Sequence, residues 1–258
     1  MSRKRAVKAT ARHNVYNIEQ ALVNNTRAWQ EGPTKRKSWT KHDLKHIQAL
    51  TPPQREMLRD YMEGRNLTAS GSAGTGKTFV ALYLALNDIL SADSEVDRLI
   101  IVRSAVPTRD QGFVPGTLEE KAAIYEAPYQ SMFCDLMGRM STYQDMKDAR
   151  VVEFQTTSFI RGVTWDNAVI VVDECQSMTF HEINTIMTRL GKNSRIIMCG
   201  DMPQTDLRKR HEVTGMDKMM RITARMGGFT NVVFTRHDIV RSEFVKSWII
   251  AAEEEGDD

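Results

Sequence analysis

The sequence predicts an α/β domain built on a mainly parallel sheet flanked by helices. Three observations predict it. About five apolar runs of strand type alternate with helical segments along the chain, the order a parallel sheet with crossover helices requires. Several runs are nearly continuous in Val, Ile and Leu, as strands covered on both faces are. Three polar segments (residues 71–78, 173–174 and 201–204) each follow a strand end, and ligands of open α/β sheets bind along that edge.

At 258 residues and 41% hydrophobic content, the chain suits one domain, or one domain with an appendage. No apolar run approaches the ~20 residues of a membrane span, so no membrane role is expected. Nor does an apolar stretch follow the basic first residues, and no secretory signal is expected. Cys134, Cys175 and Cys199 are odd in number and far apart. They read as buried free thiols in a reducing cytoplasm, not as a disulfide or zinc framework.

Charge is unevenly placed. Residues 1–50 hold eleven Lys/Arg against three acids, a net of +8, which leaves −6 for the rest of a chain whose total is +2. Residues 1–48 therefore read as a basic arm, with a short helix near 18–28. Such an arm suits a polyanion such as nucleic acid, or is only a solvated extension. Residues 49–252 form the domain, and 253–258 are an acidic tail.

Within the domain, residues 51–63 read as a helix opened by proline. Gln54 on it carries an amide able to give both a donor and an acceptor to an adenine edge. Position alone favours a surface glutamine. Residues 66–69 form a short strand. Gly71, Ser72, Ala73, Gly74, Thr75, Gly76, Lys77 and Thr78 then match the phosphate-loop pattern G-x-x-x-x-G-K-[ST] at every fixed position. Its glycines let backbone N–H groups face a phosphate. Lys77 reaches the β- and γ-phosphates of a nucleotide, and Thr78 offers a hydroxyl to Mg²⁺. A helix starting near Lys77 adds its positive end to the anion site.

Residues 98–103 are a buried strand. A loop with two prolines and two glycines follows to residue 117, and loops of this length are usually functional. Arg103 and Arg109 suit phosphates there and Phe113 suits base stacking, or Phe113 packs inward. Residues 118–148 read as two helices broken near Pro128. Residues 151–155 alternate like a strand, and 159–165 are a turn region. The strand at 168–172 ends in Asp173 and Glu174. Asp173 is placed to hold Mg²⁺, and Glu174 to orient or deprotonate water. A helix over 179–190 leads to a strand over 194–201, then to Gln204, which either positions the attacking water or is a polar loop residue. A helix over 213–226, a strand over 231–234 and a helix over 242–252 complete the domain.

Taken together, residues 71–78, 103–106 with 112–116, 160–162, 171–176, 200–207 and 238–241 resemble the PhoH family of P-loop ATPases from bacteria and phages. The resemblance covers roughly residues 50–250. It implies a single RecA-like P-loop NTPase domain, similar to the first such domain of superfamily 1 helicases. Gln54 then matches the adenine-reading glutamine, and Gly200 to Gln204 the G-D-x-x-Q motif. Cys175 and Ser177 depart from the alanine and asparagine common in the family.

The implied activity is Mg²⁺-dependent ATP hydrolysis coupled to single-stranded nucleic acid, RNA before DNA. Such helicases close ATP between two domains, and this chain has room for one. A homo-oligomer follows as the expectation, a hexameric ring whose neighbours close each site with an arginine in trans. Arg241 is the first candidate, with Arg208 and Arg236 next. Arg241 pairing inside its own subunit, with Asp238 or the acidic tail, is the competing assignment. The competing functions are a small-molecule kinase and a ring held together by nucleotide without motor activity.

Overall fold

The computed structural model describes residues 39–104, 118–160, 162–201 and 215–255. Among the described residues six strands form one sheet: β1 (Asn66–Gly71), β2 (Arg98–Arg103), β3 (Val152–Thr156), β4 (Ala168–Asp173), β5 (Arg195–Asp201) and β6 (Phe229–Phe234). They pair in the order β3-β2-β4-β5-β1-β6, and every pair is parallel. The two least buried strands are β3 and β6, which are the sheet's edges. An edge strand has one neighbour and less to bury.

Strand side chains alternate between two cores, as the two-residue period requires. Leu99, Ile101, Val169, Val171, Ile197 and Cys199 face one layer of helices. Ile100, Val102, Ile170, Val172, Ile196 and Met198 face the other. The first layer is α1 (Pro52–Met62), α2 (Lys77–Ile89), α3 (Leu118–Met137) and α4 (Thr142–Asp148). The second holds α5 (Phe180–Met187) and α6 (Gly215–Thr223). The last helix, α7 (Glu243–Glu255), has no buried residue. No described helix is long and apolar enough to cross a membrane.

Local chemistry sets the ends. Thr51 caps α1, accepting the Gln54 N–H, and the prolines at 52 and 53 open the helix without sacrificing a needed donor. Thr179 and Glu182 form a reciprocal capping box on α5.

Four sequence expectations change. Pro128 lies inside α3, which runs unbroken to Met137. The break falls at 138–141, where Gly138 takes a φ of +76°. Tyr129 and Phe133 are fully buried, and their packing offsets the roughly 3 kcal/mol that an interior proline costs a helix. The basic arm ends earlier than residue 48. Trp39, Leu44 and Ile47 pack on the core, and the Lys45 N–H donates to the Leu136 carbonyl at 2.8 Å. The helix expected over 179–190 is α5, which stops at Met187, and Leu190 instead bridges to Trp165. Finally, Glu253, Glu254 and Glu255 are the last residues of α7, not the start of a separate tail. The short helix near 18–28 and residues 256–258 lie outside the described residues.

Candidate nucleotide site

The carboxyl ends of β1, β2, β4 and β5 stand side by side. Gly71 is in register with Asp201, and Arg103 with Asp173. This alignment gathers residues that the sequence scatters.

After β1 the chain turns through the phosphate loop into α2. Gly71 has a φ of +124°, and a Cβ there would lie 1.8 Å from the Phe234 carbonyl oxygen. Only glycine lets β1 pass β6 so closely. Lys77 is buried. Its ammonium donates to the carbonyls of Ser72 (2.6 Å) and Gly71 (3.2 Å) and to Thr75 Oγ1 (3.2 Å). It also lies 2.8 Å from Asp201 Oδ1.

Gln54 braces the same loop. Its Nε2 donates to the Thr75 carbonyl at 2.9 Å, while its Oε1 accepts the Leu50 N–H at 2.8 Å. The residue is buried, so the sequence's surface alternative fails. Loss of a buried amide with two partners costs about 1–3 kcal/mol.

Thr78 Oγ1 donates to Asp173 Oδ1 at 2.7 Å. The other Asp173 oxygen accepts the Tyr129 hydroxyl at 2.9 Å. Burial first, then the Asp173 charge, pushes the Tyr129 phenol far above its ordinary value, so it stays a donor. Glu174 follows. Burial, then the neighbouring Asp173, raises its carboxyl above the usual range, and Arg103 opposes this. The Cys175 and Cys199 thiols are pushed well up by burial and then by Asp173, so both are inert. Cys134 is only partly buried.

Two candidate arginines contact their own chain. A Cβ built on Gly74 would lie 3.1 Å from Arg241 Cγ and 3.3 Å from Ile249 Cδ1, and the Val240 N–H donates to the Gly74 carbonyl at 3.0 Å. Arg241 therefore lies along the phosphate loop of its own chain. It is carried there by the turn that Asp238 closes by accepting the Thr235 N–H and hydroxyl. Arg236 pairs with Glu254 at 3.1 Å. Arg103 stands 3.7 Å from Glu174 Oε1 and over the Tyr125 ring, within the carboxylate cluster. Gln204, Arg208, Arg109 and Phe113 lie outside the described residues.

Sequence reasoning assigned no site role to Tyr129 or Gln176. Tyr129 sits 44 positions from its carboxylate partner, and no local pattern announces such a pairing. Gln176 lies in the segment that carries the resemblance, which was the available signal.

The donor set fits a nucleotide and its cation. Thr78 and Asp173 offer only oxygen, as Mg²⁺ prefers. The Ser72 hydroxyl is buried in the loop with no partner among the described residues, as a group aimed at a phosphate would be. All-parallel sheet, phosphate loop and strand-end carboxylates together define a P-loop nucleoside triphosphatase.

The chain belongs to the PhoH-like protein family, whose model matches residues 46–253. It is 31% identical over 208 residues to a PhoH-like protein of Synechocystis sp., covering 80% of this chain and 62% of that one. Protein PhoH of Escherichia coli K12 is 31% identical over 202 residues, 78% of this chain and 56% of that one. The chain thus spans less than two thirds of these relatives. Among solved structures, the Pyrococcus furiosus Hef helicase domain aligns over 70% of this chain and 37% of its own, with 12% identity and a TM-score of 0.42.

Proposed function

We propose that this chain hydrolyses ATP with Mg²⁺ and couples the reaction, as a homo-oligomer, to single-stranded nucleic acid, with RNA the favoured polymer. The observation that carries the hydrolytic part is the contact of Thr78, the last residue of the phosphate loop, with Asp173, the chain neighbour of Glu174. Bound Mg²⁺ would supply charge neutralisation on the phosphates, and Thr78 and Asp173 would hold it. The loop N–H groups and Lys77 bind the phosphates. Lys77 exchanges its bond to Asp201 for phosphate oxygen, which the partly exposed Asp201 tolerates. Glu174 takes a proton from the attacking water. Its raised proton affinity suits a general base. Arg241, along Gly74, reaches the phosphates of its own subunit. The trans role expected from sequence is the alternative for the same side chain.

The polymer reading draws on the +8 charge of residues 1–50 and on the family. The oligomer reading draws on α7. Phe244 and Trp248, one helical turn apart, are 81% and 70% exposed, while Ile249 on the same helix packs toward the phosphate loop. An apolar patch beside the nucleotide site is what a neighbouring copy would cover.

The test is ATP hydrolysis by the purified chain, alone and with single-stranded RNA or DNA, with Lys77→Ala as the blank. Stimulation by a polymer that is lost in the variant is the expected result. Hydrolysis indifferent to both polymers would move the assignment to a kinase or to a non-motor ring.

A further inference from the structure

Glu174 adopts a φ of +56°, a left-handed conformation that costs a non-glycine residue on the order of 1 kcal/mol. The strain places a side chain that is then gripped at both oxygens. Gln176 Nε2 donates to Oε2 at 2.6 Å. Arg103 Nη2 stands 3.7 Å from Oε1.

Each holder is itself held from another element. The Gln176 side-chain oxygen Oε1 accepts the backbone N–H of Asp201 at 2.9 Å. Gly200 leaves room for this, since a Cβ there would lie 3.2 Å from Gln176 Oε1 and 2.5 Å from Met216 Sδ. Arg103 ends β2, in register with Asp173, and its guanidinium lies 5.6 Å from the centre of the Tyr125 ring on α3. Because Asp201 also pairs with Lys77, one polar chain runs from Lys77 through Asp201 and Gln176 to Glu174, and ends at Arg103.

We infer that Arg103 and Gln176 are positioning residues for Glu174, fixing its carboxylate toward the phosphate loop and tying that direction to the strand that holds Lys77. The two act differently. A 2.6 Å bond is short and directional. A separation of 3.7 Å is too long for a hydrogen bond, so Arg103 acts as a charge among Asp173, Glu174 and Asp201. This assignment rests on reading Glu174 as the general base. It also gives Arg103 a place inside the site in preference to a polymer phosphate.

An unaimed glutamate has three free side-chain torsions, and a misplacement of about 1 Å can cost roughly 100-fold in rate. The test is steady-state ATP hydrolysis without polymer, alongside binding of a fluorescent non-hydrolysable ATP analogue. Gln176→Leu and Arg103→Gln should each lower kcat about 10- to 100-fold and leave analogue affinity within about twofold, because among the described residues neither side chain bonds directly to the phosphate loop. Arg103→Lys, which keeps the charge, should recover part of the loss. In a Glu174→Gln background neither substitution should lower the rate further, since residues acting through one group are non-additive.

Unchanged basal kcat in Arg103→Gln with weakened binding of single-stranded RNA would overturn the inference and return Arg103 to the polymer. Additive losses in the Glu174→Gln background would overturn it as well. Wild-type protein that hydrolyses no nucleotide would instead sink the proposed function, so the two failures are distinguishable.

Discussion

Thr78 and Asp173 lie 95 positions apart and share a hydrogen bond of 2.7 Å. The contact joins the first turn of α2 to the carboxyl end of β4 and brings together the two side chains suited to Mg²⁺. Asp173→Asn and Thr78→Ala are expected to reduce Mg²⁺-dependent hydrolysis by at least 100-fold and about 10-fold respectively. The double variant should be little worse than Asp173→Asn alone. A Mg²⁺ titration of the rate checks this. Full additivity would mean that the pair does not act as one site.

Tyr129 carries the second Asp173 oxygen. Tyr129→Phe leaves that buried oxygen without its donor, at a cost of about 1–3 kcal/mol. It is expected to raise the Mg²⁺ concentration for half-maximal rate several-fold while the nucleotide affinity of the loop holds. A purely structural tyrosine would lower the melting temperature without moving the Mg²⁺ midpoint.

On α7, Phe244 and Trp248 face outward. Replacing both with Ser should lower the mass seen by light scattering and shift the melting temperature of the domain by less than about 2 °C, because exposed side chains add little to folding. An unchanged mass would remove α7 from the interface.

At the opposite end of the sheet, Arg195 sits 3.4 Å from the centre of the Tyr61 ring and 3.0 Å from Asp88 Oδ2, which also accepts the Tyr61 hydroxyl at 2.8 Å. The cluster fastens β5 to α1 and α2. Arg195→Ala should cost about 2–4 kcal/mol in denaturant unfolding and leave nucleotide affinity alone.

Glu182 offers a pH test. Burial works to raise its carboxyl, but hydrogen bonds from the Thr179 N–H and from the Thr157 and Thr179 hydroxyls prevail and hold it below the usual range. A depressed value means stability that is present above the unfolded carboxylate range, near pH 4.3, and is lost as pH falls through the folded value. Glu182→Gln should therefore be less stable than wild type at pH 7, with the difference shrinking below about pH 4. A constant difference across that range would refute the linkage.

The sequence by itself determined the α/β class, the phosphate loop and the carboxylate pair at the end of β4. These are local patterns: glycines at fixed spacing, apolar runs, and acids where a buried strand meets polar surroundings. They depend on neighbours within a few residues and so can be read along the chain. Tertiary structure alone decided that Tyr129 holds Asp173, that Gln176 links Glu174 to Asp201, that Arg103 turns inward and that Arg241 lies on its own loop. It also decided that α3 continues through Pro128, because the burial of Tyr129 and Phe133 outweighs a local preference. Each of these outcomes depends on the strand order β3-β2-β4-β5-β1-β6. That order is set by how distant apolar runs share two cores, and no short stretch of sequence encodes it.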